Sequence, residues 1–214
     1  MTMSGRTLPP PPPPFGVRAW PDRTSLLADR ARAMAELHRM SIGGAVLIQL
    51  WLLAAGFAVG WVLVAAALRT FDEPLDALSK MFGGVLLLLG AAFMVPTGLL
   101  IGFGLARDAK VRGLLRAWSR LASDPAGDAR FASPGLSLTW FLPSFLMCAG
   151  GLWTCFAVPA GAEPGQDTVP GVVLLMGLGM ILWLTGLIGV SKAVGHYRWA
   201  LRLVPRRAAS GARV

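Results

Sequence analysis

The sequence predicts an all-α membrane protein: four transmembrane helices in an antiparallel bundle, N-in/C-in, with amphipathic basic helices on the cytoplasmic side and a disordered Pro-rich N-terminus. Two observations carry that prediction. Four long stretches, 40–68, 81–106, 131–162 and 168–191, contain no Asp, Glu, Lys or Arg. Eighteen of the twenty Lys and Arg residues lie in the three segments before, between and after these hairpin-forming pairs, leaving only Arg69 and Lys80 elsewhere.

Residues 1–24 form the first element, a tail whose six consecutive prolines at 9–14 lock φ and remove backbone donors. Extended polyproline II and disorder are expected there. Flanked by Leu8 and Phe15, the run also has the form of a ligand for an aromatic groove in a proline-recognition module. Residues 25–40 follow as an amphipathic helix. Asp29, Arg32, Glu36 and Arg39 recur at three- and four-residue spacing, opposite an apolar face expected to hold Leu27, Ala31 and Met34.

Residues 41–205 make up the transmembrane domain, with spans at about 42–67, 82–105, 138–159 and 169–191. Crossing ~30 Å of hydrocarbon takes ~20 apolar residues, and each charge-free stretch exceeds that length. Segments such as GGVLLLLGAAFMV lack the polar stripe that a helix of a soluble protein turns toward water. The first stretch begins near residue 41 and is too long for a signal-peptide core, so it is expected to remain as an uncleaved span.

A cytoplasmic basic helix, 107–122, connects the two hairpins. Val111, Leu114, Leu115, Trp118 and Leu121 share one face, and Arg112, Arg116, Ser119 and Arg120 the other. Lipid headgroups with Arg112, Arg116 and Arg120 as their ligands would suit this pattern, and so would a helix that continues the second span and packs on the N- or C-terminal helix. A basic tail, 206–214, ends the chain.

Lys plus Arg per non-membrane segment run 6, 2, 6, 0 and 6 along the chain, which places the first, third and fifth segments inside. Eighteen basic against six acidic groups leave +12 inside, and two against five leave −3 outside. The sequence pI near 11.2 is therefore explained by topology, and nucleic acid is not an expected partner. The expected address is a bacterial plasma (inner) membrane, because Arg outnumbers Lys 17 to 3 and no organelle-targeting segment is evident. Anionic inner-leaflet lipids are the expected surroundings.

Within the spans the notable residues suit packing. Gly56 and Gly60 form one GxxxG, Gly98 and Gly102 a second, and Gly179 and Gly186 lie seven apart, spacings that let helix backbones approach in lipid. Gln49 is the most polar span residue and is expected to point inward and hydrogen-bond to a neighbouring helix. Pro96 and Pro143 each free a carbonyl one turn earlier and can kink their helices, and two such kinks could open a cavity. Gly- and Leu-rich spans also show a faint internal similarity, with Thr97 and Gly98 echoed by Thr185 and Gly186, which chance composition explains.

Catalytic, cofactor and metal motifs are absent from the sequence: it has no HExxH, GxSxG or phosphate-binding loop. Cys148 and Cys155 lie two turns apart, too far for a mutual disulfide within one helix, and read as small buried hydrophobes. His38 and His196 are expected near basic residues under headgroups or solvent. Asp72, Glu73, Asp76, Glu163 and Asp167 form an acidic outer cluster best read as solvated loops. No ionisable group lies in a span, which argues against proton-coupled transport. The expectation is a non-enzymatic accessory or structural component that packs with itself or with a membrane-protein partner. The alternative is an oligomeric permease or channel subunit without proton coupling.

Overall fold

A computed structural model describes residues 8–14, 20–72, 77–122, 124, 134–163 and 168–203. The described residues form five helices and no strand: α1 Arg23–Ile42, α2 Gly44–Asp72, α3 Ala77–Leu121, α4 Pro134–Ala160 and α5 Val169–Leu203. Four helical stretches are long and apolar enough to cross a membrane. They contain the four spans expected from the charge-free stretches.

Helix α1 starts where Asp22 caps it, accepting a hydrogen bond from the Ser25 amide at 2.9 Å. It ends at Gly43, whose amide returns to the Arg39 carbonyl at 3.2 Å, and α2 begins one residue later. A Cβ at Gly43 would stand 2.6 Å from that carbonyl oxygen, so glycine suits this junction. At 45 residues α3 is about 68 Å long, roughly twice the hydrocarbon thickness. Pro96 and Pro143 lie inside continuous α3 and α4.

The chain divides into two compact units. The first gathers residues 1–46, 105–138 and 193–214; the second holds 47–104 and 139–192. In the second unit, α2 meets α3 backbone to backbone. A Cβ on Gly60 would stand 2.8 Å from the Gly90 carbonyl oxygen, and one on Gly90 would stand 2.8 Å from that of Gly60. Helices α4 and α5 approach in the same manner at Gly151 and Gly179. A Cβ on either would lie 2.5 Å and 2.9 Å, respectively, from the other's carbonyl oxygen. Within this unit Trp61 of α2 ties α2 to α5 by donating its indole N–H to the Leu174 carbonyl at 3.1 Å.

The first unit has its own hydrophobic core. Ala33, Met34 and Leu37 of α1 pack with Val111, Leu115 and Trp118 of α3, and Met34 and Leu37 are fully covered. Burying two such side chains stabilises the cluster by about 1.5–3 kcal/mol each relative to exposure. The apolar face of the connecting basic helix is thus covered by protein, and that helix continues α3 without a break.

Two sequence expectations fail in α1 and α2. The buried face of α1 carries Arg30, Ala33, Met34, Leu37 and Ser41, while Ala31 is exposed. A pattern reading that assigns every charge to the wet side cannot find this face, because Arg30 lies in its middle and donates from Nε to the Trp118 carbonyl at 3.3 Å. Gln49, expected to point inward, is exposed. It stands beside exposed Ile48 and Leu52, two turns before Gly56 on the same helix face, so the side of α2 that packs on α3 at Gly56 and Gly60 is uncovered at Gln49.

Candidate functional site

The richest constellation of polar and aromatic groups lies in the first unit, where α1, the end of α3 and the end of α5 converge. Ala193, His196 and Trp199 recur at three-residue spacing along α5, so one face of the helix turns all three inward. Their spacing beyond the fourth span was the available sequence signal for this packing. His196 is only 7% exposed. Its ring centroid lies 5.0 Å from that of His38 on α1 and 5.6 Å from that of Trp199. Protein covers His196 and half-covers His38, so the expectation of headgroups or solvent is corrected for His196.

Burial disfavours the charged imidazolium, and it lowers the His38 pKa below its ordinary value. For His196, burial and then the nearby His38 push the pKa down to about 4. Both rings are therefore neutral at pH 7. His196 Nε2 and Trp199 Nε1 are buried without a hydrogen-bond partner among the described residues. No group of three or more metal-ligating side chains occurs among those residues.

A second cluster lies at Trp118. Its carbonyl accepts from Arg30, and its indole N–H donates to the Pro10 carbonyl at 3.3 Å. Trp20 meets the Trp118 ring edge-on, with centroids 6.4 Å apart at 67°, and is itself tied by its indole N–H to Asp29 Oδ2 at 3.0 Å. On the far side of α3, Arg112 pairs with buried Asp108, and Arg116 and Arg120 are exposed.

The glycines singled out in the sequence divide. Gly56 faces Thr97, Gly60 faces Gly90 and Met94, Gly98 faces the Phe57 ring, and Gly102 has open space beside it. Gly179 meets Gly151, while a Cβ on Gly186 would stand 2.5 Å from the Ser144 carbonyl oxygen. Sequence reasoning missed Gly90 and Gly151, since it sought spacing within one helix and not partners across two. Cys148 and Cys155 are free thiols on α4, and Cys155 Sγ approaches the Met176 carbonyl at 3.6 Å. Hydroxyls within the spans bond back to their own helices: Thr97 to the Phe93 carbonyl at 2.6 Å, Thr154 to Gly150 at 2.8 Å and Thr185 to Ile181 at 2.7 Å. Of the acidic outer cluster, Glu73, Asp76 and Asp167 lie outside the described residues.

Helices of this length and composition fit a multi-pass membrane protein. No protein-family model, no curated protein and no solved structure matches the chain.

Proposed function

We propose that this chain is a non-enzymatic component of a plasma membrane, an antiparallel four-span bundle that assembles with a second copy or with a membrane-protein partner. The exposed amide of Gln49 carries the reading. It stands about 8 Å into α2, on an apolar stripe with Ile48 at 57% and Leu52 at 67% exposure. An unpaired amide facing hydrocarbon costs roughly 1–3 kcal/mol or more, and an interhelical hydrogen bond in a membrane returns about 0.6–2 kcal/mol. A helix from outside the monomer offers that bond.

Topology follows from charge. The three basic segments share one compact unit, which supports a common side for them, and their Lys and Arg excess supports the cytoplasmic side for both termini. Exposed Arg116 and Arg120, with Arg112, suit anionic inner-leaflet headgroups. The alternative of an oligomeric permease or channel subunit without proton coupling has one feature in its favour. An open cavity of about 610 Å³ is lined by Arg69, Val158, Thr168 and Leu175 among others.

Reconstitution in liposomes separates the two. Membrane assembly predicts no solute or ion flux above protein-free vesicles and a stable oligomer or partner complex that Gln49→Leu weakens. Flux that disappears in Gln49→Leu would contradict it.

A further inference from the structure

Residues 9–14 are six prolines in a row, and such a run is preorganised: φ is locked and little conformational entropy is lost on docking. A polyproline II backbone also forms no internal hydrogen bonds, so its carbonyls remain free to accept. The groups that exploit this are aromatic faces and a donor with no acceptor function, which is what a Trp indole supplies.

The first unit holds that combination. Trp118 donates to the Pro10 carbonyl at 3.3 Å, and Leu8 packs on the Met34, Leu37 and Trp118 core. Leu8, Pro9, Pro12 and Pro13 are partly covered, whereas Pro10, Pro11 and Pro14 are exposed. Pro9 and Pro12 stand three residues apart, hence on one side of a helix with three residues per turn. The receiving surface is tied in place before any ligand arrives. Asp29 holds the Trp20 indole, Trp20 meets Trp118 edge-on, and Arg30 holds the Trp118 carbonyl.

We propose that Trp20 and Trp118 form a polyproline-binding groove and that residues 8–14 of the same chain are its built-in ligand. The ligand class is a proline-rich peptide in polyproline II conformation. Occupation in cis keeps the groove closed to such peptides, because a short tether holds its segment at an effective concentration on the order of millimolar.

Full-length protein labelled with 5-fluorotryptophan, in nanodiscs, tests this by ¹⁹F NMR, with the Trp118 resonance assigned from Trp118→Phe. A tail variant carrying Pro9→Ser, Pro10→Gly and Pro12→Ser leaves the core side chains intact and opens the groove. Titrated with free decaproline, this variant is expected to show a saturable Trp118 shift, and wild type to need at least tenfold more peptide. A glycine-serine peptide of equal length is expected to shift neither. The proposal is overturned if decaproline fails to shift the variant, if both proteins titrate alike, or if the glycine-serine peptide acts equally. A Trp118 resonance in wild type that changes with protein concentration would assign the tail to a second copy and overturn occupation in cis.

Discussion

His38 on α1 and His196 on α5 meet with ring centroids 5.0 Å apart and planes tilted by 52°, a contact between residues more than 150 positions apart in sequence. Their burial lowers both pKa values, that of His196 to about 4. In the unfolded chain each histidine titrates near 6.5. Between those values the unfolded state binds more protons than the folded one, so stability falls as pH falls. The contribution is complete above about pH 6.5 and is lost progressively toward pH 4. Thermal unfolding in detergent should therefore be level from pH 8 to 7 and drop between pH 6.5 and 4.5. His196→Phe should flatten that drop, and an unchanged acid limb in the variant would count against the buried pair.

Packing of α2 on α3 depends on two glycines with no room beside them. Gly60→Leu or Gly90→Leu forces the backbones apart and should destabilise the protein by about 1–3 kcal/mol or more. Gly102→Leu meets open space and should be nearly neutral. Denaturation in mixed detergent micelles reads the difference, and equal effects at the three positions would be inconsistent with this contact.

The core of the first unit should respond to single truncations. Met34 and Leu37 are fully buried, so Met34→Ala and Leu37→Ala should each cost about 2–5 kcal/mol. Ala31→Ser, on the exposed side of α1, should lie within about 0.5 kcal/mol of wild type. Hydrogen exchange of the α1 amides is the suitable readout, because it follows this unit separately from the spans.

Much of the fold was legible because a bilayer imposes a length rule on apolar, charge-free helices, and that rule is written locally in the chain. The long helices α2 to α5 and the apolar face of Val111, Leu115 and Trp118 follow from such local signals. What escaped depends on partners distant in sequence. Arg30 is buried because Trp118 presents a carbonyl to it, and no pattern within α1 encodes that. His196 was expected under solvent or headgroups because it lies among basic residues, although its i, i+3 spacing with Ala193 and Trp199 marks one helix face. Gly90 and Gly151 matter only against Gly60 and Gly179. The proline run was recognisable as a ligand shape, but its site was not, since Trp118 lies 108 residues away.

Assembly through the outward stripe of α2 is tested most directly by cysteine cross-linking in native membranes. Single cysteines at positions 45, 49 and 52 on that stripe, and in place of buried Ala54 on the opposite side of α2, would be placed in a Cys148→Ala, Cys155→Ala background. Cross-linked species of twice the monomer mass, or one defined heteromeric product, are expected at 49 and its stripe neighbours and not at 54. Absence of any product at 45, 49 and 52, with the protein correctly inserted, would contradict assembly through Gln49.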